Sequence, residues 1–164
     1  QQQKGSFFMN KRMSDSYTEQ VQILTQANIN GYNRLFGGQL MQWIDVVAAV
    51  VARRHSGCNV TTAAVDSLRF EGAGHPNDTI LLIGRVTYVG HTSMEVCVET
   101  YVESLSGEKT RINKAYLVMV ALDENEKPVE VPGLVVETHR QRMDWEAGEK
   151  RYEYRRNLRR HQTP

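Results

Sequence analysis

The stretch from Gln39 to His55 constrains this chain most. It contains neither Pro nor Gly, and eleven of the thirteen residues from Leu40 to Ala52 are apolar. Plotted on a helix they cover most of the circumference, whereas a helix on a protein surface carries only a stripe. The segment therefore predicts a helix buried on most sides. Arg53, Arg54 and His55 suit the negative end of a helix dipole, and Gly57 is a natural terminator.

The rest of the chain must supply the cover. Thr18 to Thr25 alternates around Val21 and Ile23 and reads as a short strand. Gln26 to Gly38 holds three Asn and three Gly in thirteen residues and reads as a loop. After the helix the hydrophobic period changes to two. Four runs follow, at Asn59 to Glu71, Asp78 to Val89, Thr92 to Leu105 and Lys109 to Leu122. In the third, Met94, Val96, Val98 and Val102 alternate with Glu95, Cys97, Glu99 and Glu103. Gly90-His91 and Ser106-Gly107-Glu108 are connections of hairpin length, so the strands should pair antiparallel. The apolar face should be covered and the acidic face should meet water. One apolar helix and one half-apolar sheet satisfy each other if the sheet wraps around the helix. That is an α+β architecture.

A chain of 164 residues fits one domain. Residues 17–138 should form it. Residues 1–16 read as a disordered or appended lead-in: Gln1 to Phe8 lacks the basic start and apolar run of a secretory signal, and Met9 or Met13 could be the natural start. Residues 139–164 read as a charged helix and tail, either solvated, with Glu149 and Glu153 set against Arg156 and Arg160, or steering a polyanionic ligand. The formal net charge of +1 hides an asymmetry. The last 25 residues carry eight basic and four acidic side chains, a net +4, while the preceding 139 carry −3. A near-neutral whole gives no reason to expect nucleic acid or a membrane surface as partner. No apolar run reaches 18 residues. Cys58 and Cys97 are too few for a disulfide scaffold; they could form a single bridge, or stay reduced thiols in the cytoplasm.

Asp45 is the sharpest chemical feature. It is the only charged residue between Arg34 and Arg53, and its helical neighbours are Met41, Gln42, Ala48 and Ala49. A carboxylate in such company is either hydrogen-bonded at a subunit seam or a general base or nucleophile in a pocket. Phe36-Gly37-Gly38 at the helix start is either a tight turn or an oxyanion site, where free backbone N–H groups meet a substrate that no Cβ obstructs. Asp45 lies eight residues beyond Gly37, about 12 Å of helix rise, too far for both to act on one atom. Two protomers contributing one group each would solve this. Asn28, Asn30 and Asn33 are turn formers or positioning groups. Gly90-His91-Thr92-Ser93-Met94 is a hairpin loop whose amides and hydroxyls could hold a phosphate or amide. Asp66 is a secondary candidate, structural or subunit-facing. The five His are scattered, and no Cys-x-x-Cys, His-Glu-x-x-His, Gly-x-Ser-x-Gly, Walker or dinucleotide pattern occurs, so neither a metal nor a bound cofactor is expected.

Several of these residues carry a family likeness. Asn30-Gly31, the run Arg34 to Met41 and Trp43-Ile44-Asp45 closely resemble the signature of the hotdog-fold acyl-CoA thioesterases, YciA-like and cytosolic acyl-CoA hydrolase-like. The likeness continues through Val60 to Asp66, Gly84 to Val96 and Asn113 to Tyr116, and covers roughly residues 18–138. It implies the hotdog fold, with the antiparallel sheet around the central helix, and hydrolysis of acyl-CoA to CoA and a carboxylic acid. It implies that Asp45 is the catalytic acid residue, that Gly37 and Gly38 bind the thioester oxygen and that Asn30 belongs to the same loop. It implies that Phe36, Gly90, His91, Thr92, Ser93 and Met94 line the coenzyme A channel; relatives often carry Arg where this chain has His91. It implies no metal, and hotdog dimers commonly assembled as trimers of dimers in a hexamer. Two other functions compete. A non-catalytic acyl-CoA sensor of the same fold would bind without releasing thiol. A hotdog hydratase would need an Asp–His pair, and the loop before the helix offers no His.

Overall fold

The computed structural model describes residues 10–162. The expectations for residues 1–9, including the lead-in and a start at Met9, lie outside that range, as do residues 163–164. The chain runs through β1 (Lys11–Arg12), a 3₁₀ turn (Met13–Ser16), β2 (Thr18–Ile23), a second 3₁₀ turn (Gln26–Asn28), α1 (Gly37–Ser56), β3 (Asn59–Phe70), β4 (Thr79–Val89), β5 (Ser93–Glu103), β6 (Lys109–Leu122), β7 (Leu134–Val135) and α2 (His139–His161).

Five strands form one antiparallel sheet in the order β2-β4-β5-β6-β3. The two hairpins predicted at Gly90-His91 and at Ser106 to Glu108 join β4 to β5 and β5 to β6. The longer link from β3 carries the chain across the sheet, so β3 ends at the edge beside β6. The short β1 and β7 pair parallel in a separate two-stranded ladder.

The sheet curls around α1. Leu40, Ile44, Val47, Ala48, Val51, Ala52 and His55 are its buried face, spaced by three and four residues as a helix requires. They meet Ile80, Leu82, Val86, Val96 and Leu117 from the strands. Gly84 lets the helix approach closely, because a Cβ there would lie 2.6 Å from Val47 Cγ1 and 2.9 Å from Val51 Cγ2. Gly57 ends the helix in the left-handed region, φ 69°, with its N–H donating to Arg53 O at 2.8 Å. Within one chain the burial is narrower than the apolar content predicts. Met41 and Val46 are about half exposed and Asp45 is exposed, so a second apolar stripe stays uncovered within the chain.

Three expectations need correction. The stretch 10–16 is not disordered: Met13 is buried in the core and Ser16 is fully buried, so the domain begins earlier than residue 17. The acidic face of β5 does not meet water. Glu95 and Glu99 are buried, because α2 lies across that face. The α2 arginines accordingly reach for the sheet and not for their own helix. Arg151 donates to both oxygens of Glu95 at 2.8 and 3.0 Å, and Arg155 joins Glu95 to Asp66. Arg85 bridges Glu99 and Asp144, and Arg111 bridges Glu99 and Glu71. Tyr88 packs between Trp145 and Tyr152, with ring centroids 5.2 Å from each. Gly148 makes the approach possible, since a Cβ there would sit 2.7 Å from Tyr88 Cβ. A capping box starts α2: Thr138 Oγ1 accepts from Gln141 N, and Gln141 Oε1 accepts from Thr138 N.

Two buried groups make stability pH-dependent. His55 is fully buried at the end of α1, with Nε2 donating to Pro132 O at 2.8 Å and Nδ1 left without a partner. Burial holds its pKa below the ordinary 6.5, against the opposing pull of the Pro132 carbonyl. Glu99 moves the same way for the opposite reason: burial alone would raise its pKa, but hydrogen bonds from Arg85 and Arg111 outweigh burial and hold it at about 2. Both groups bind fewer protons folded than unfolded. Stability should therefore be full above pH 6.5, decline below it as His55 must charge, and decline again between 4.5 and about 2 as Glu99 is protonated. Urea melts from pH 8 to 3 read this. His55→Gln should flatten the first decline and leave the second.

Candidate active site

Asp45 sits on the exposed stripe of α1, and Thr62 of β3 donates its hydroxyl to Asp45 Oδ1 at 2.6 Å. Asp45 also lines a recess of about 120 Å³ with Met41, Ile44, Val65, Leu68 and Leu117. A carboxylate thus stands at the mouth of an apolar slot, oriented by one short hydrogen bond. Thr62 was missed by sequence reasoning, although the run Val60 to Asp66 was singled out. The signal was present: Thr62 is a polar residue on a strand whose inward positions face α1.

The loop before α1 is built by its asparagines. Asn28 O accepts from Phe36 N at 2.8 Å, and Asn28 Nδ2 donates to Gln39 Oε1 at 3.2 Å. Asn30 Oδ1 accepts from the amides of Tyr32 and Arg34 at 2.9 and 3.2 Å. That oxygen is committed to the turn, so the carboxamide nitrogen is the donor Asn30 can offer a ligand. Asn33 adopts a positive φ of 61° and its N–H donates to Asn30 O, a turn role. At the helix start Phe36 is the N-cap in extended conformation and gives no side-chain cap, and Leu40 N is the first amide bonded back, to Phe36 O. The first-turn amides at Gly37 and Gly38 therefore have no carbonyl of their own helix to bond. Phe36 itself is half exposed beside them.

One chain does not bring these parts together. Gly37 and Asp45 stay separated along α1, as the spacing required. The Gly90 to Met94 segment lies elsewhere. His91, Thr92 and Ser93 line a cavity under α2, with His91 exposed and 3.9 Å from Glu130. Met94 is fully buried in the core on the inward side of β5, which corrects its expected place in a substrate channel. Gly90 N donates to Ser93 O and closes the hairpin. Asp66 is ion-paired to Arg155. Among the described residues no three His, Cys, Asp or Glu side chains converge in a metal-binding group. No helix among them is long and apolar enough to cross a membrane.

Residues 32–106 match the model of the thioesterase superfamily. The acyl-CoA thioester hydrolase YkhA of Bacillus subtilis, named as uncharacterized, is 41% identical over 133 residues, spanning 80% of this chain and 77% of that protein. An acyl-CoA hydrolase from Staphylococcus aureus, solved with butyryl coenzyme A and coenzyme A, superposes with a TM-score of 0.88 at 31% identity, covering 93% of this chain and 94% of that one. A hexameric acyl-CoA thioesterase superposes at 0.87 with 33% identity, over 91% and 96%. Variants of the S. aureus enzyme with an Asn, an Asp or a Thr replaced by Ala share the same fold. A relative this similar over this much of both chains, on a helix wrapped by a five-stranded sheet, decides the family: the chain is a hotdog-fold member of the thioesterase superfamily and an acyl-CoA thioester hydrolase.

Proposed function

We propose that Asp45 and the glycines at the start of α1 hydrolyse the thioester of an acyl-CoA, with no metal or other cofactor. The observation that carries this is Asp45, hydrogen-bonded to Thr62 and lining the apolar recess. The S. aureus variants support it. Their substituted Asn precedes the substituted Asp by 15 residues and the Thr follows it by 17, the spacing of Asn30, Asp45 and Thr62.

The acyl chain enters the recess and the thioester oxygen accepts from the amides of Gly37 and Gly38. Asp45 then acts in one of two ways. As general base it takes a proton from water while the water oxygen bonds to the carbonyl carbon; the tetrahedral oxyanion collapses, the C–S bond breaks and the thiolate leaves with that proton. As nucleophile its oxygen displaces the thiolate and forms an anhydride, which water cleaves. Single-turnover hydrolysis in heavy-oxygen water separates these: label in the Asp45 carboxylate marks the nucleophile.

The separation of Gly37 from Asp45 supports a site shared between two protomers. β3 offers the seam. It is twelve residues long, mostly exposed and at the sheet edge, with a backbone ladder open on one side. A second copy pairing there would cover Met41 and Val46. Three such dimers would make a hexamer, the assembly named for a solved relative. The free thiols of Cys58 and Cys97 fit a cytoplasmic location.

Thr62 acts as a positioning residue. Thr62→Ala should lower kcat by about 10- to 100-fold, the range seen when a group orienting a catalytic residue is lost, with KM nearly unchanged. Thr62→Ser should restore most of it. Equal loss in the Ser and Ala variants would assign Thr62 a packing role instead.

A further inference from the structure

The first turns of α1 carry two glutamines that the reaction as described leaves unused. Gln39 is half-buried and Gln42 is exposed, and Gln42 stands one turn before Asp45. Side chains three residues apart on a helix are neighbours, with Cβ atoms about 5–6 Å apart. The two glutamines belong to a hydrogen-bonded chain of carboxamides. Asn28 Oδ1 accepts from Thr25 N and from Thr25 Oγ1, each at 3.0 Å. Asn28 Nδ2 donates to Gln39 Oε1 at 3.2 Å, and Gln39 Nε2 donates to Gln42 Oε1 at 3.1 Å.

The direction of this chain is set at its first link. A backbone N–H can only donate, so the Asn28 oxygen must face Thr25 and the Asn28 nitrogen must face Gln39. Each later amide then accepts on its oxygen and leaves its nitrogen for the next. Gln42 ends the chain, with its oxygen engaged and its Nε2 hydrogens uncommitted among the described residues. Asp45 is engaged on the complementary side. Its Oδ1 accepts from Thr62, so Oδ2 is the oxygen left to take a proton. An amide donor and a carboxylate acceptor thus stand on successive turns of one exposed helix face.

We infer that Gln42 orients the attacking water of the hydrolysis. Its Nε2–H donates to the water oxygen while one water hydrogen points at Asp45 Oδ2. A lone pair of that oxygen is left to bond to the thioester carbonyl carbon. The proton passes to Asp45, and the thiolate takes it when the C–S bond breaks; Gln42 itself exchanges no proton. In the anhydride route the same amide holds the water that cleaves the anhydride. A neutral donor suits this place, because a cation would pair with Asp45 and lower its basicity. Gln39 and Asn28 are positioning residues, which fix the end of the Gln42 amide that faces the reaction. The inference rests on the hydrolase reading above and adds the second group needed to aim a water.

The test sets water against hydroxylamine, a stronger nucleophile that needs less aiming. Acyl-CoA is turned over in its presence, and acid and hydroxamate are both measured after subtraction of the enzyme-free reaction. Gln42→Met keeps an unbranched side chain and removes the donor. It should lower kcat for acid formation by about 10- to 100-fold with KM nearly unchanged, the scale of a misplaced reactant. Hydroxamate formation should fall less, so the ratio of hydroxamate to acid rises severalfold. Gln39→Met, which frees the Gln42 amide to turn over, should shift the ratio the same way to a smaller extent. Size-exclusion and melting behaviour should match the unaltered protein. An unchanged ratio in Gln42→Met, whether or not kcat falls, would overturn the inference and leave Gln42 a packing residue. Absence of thiol release from the unaltered chain would overturn the hydrolase reading and the role of Gln42 with it, so the unaltered chain alone tells the two failures apart.

Discussion

Asp45→Asn should lower kcat for thioester hydrolysis by about 10³-fold, within the range of general acid–base catalysis, and leave the fold and oligomer intact. The amide keeps the size of the carboxylate and can still accept from Thr62, so the recess of Met41, Ile44, Val65, Leu68 and Leu117 should persist. It can neither take a proton from water nor attack a carbonyl. Asp45 is exposed in the single chain and contributes no buried ion pair, so little stability rides on its charge. Thiol release across a dilution series, with size-exclusion and melting controls, reads the effect. Retained near-normal turnover would remove Asp45 from the reaction.

The largest stability loss should come from Glu95. Its side chain is wholly buried beneath α2, accepting from Thr87, Arg151 and Arg155. Arg151 also stacks 3.9 Å over the Tyr116 ring. Glu95→Gln leaves Arg151 without its carboxylate and Arg155 with Asp66 alone. Breaking a buried pair from one side costs about 3–5 kcal/mol, because the remaining charge stays desolvated. At this chain length that lowers Tm by roughly 10 °C. Loss of Glu95 should also loosen α2, so amide exchange should quicken along residues 145–160 while α1 stays protected. A Tm within about 2 °C of the unaltered protein would mean that α2 is held by Tyr88, Trp145 and Tyr152 and not by charge.

The central architecture was legible because it is written in period. The apolar run of α1, the glycine that ends it and the alternation of β4, β5 and β6 each specify their own geometry locally. Asp45 was legible for the same reason, as one charge in an apolar helix. Long-range partners were not. The acids of β5 look like a solvent face until Arg151 and Arg155 arrive 56 and 60 residues later. The arginines of α2 look like a solvated helix until those acids are placed beneath them. Thr62 finds Asp45 only when β3 crosses to the far edge of the sheet. Met94 sits beside the loop residues in sequence, but strand alternation turns its side chain inward. Residues 11–16 carry no periodic signal, because two-residue strands and one-turn helices are too short to have one.

The shared site is the claim on which the account turns. Gly37→Pro removes one of the first-turn amides and fills its approach. It suits the fold, because Pro favours the first helical position and Phe36 is already extended. Alone, it and Asp45→Asn should each be nearly inactive. Co-expressed at equal levels, they should give mixed dimers in which one of the two sites is intact, restoring about a quarter of normal thiol release for random pairing in a symmetric dimer. Activity no higher than that of either parent would place both groups in one protomer's site and contradict the account.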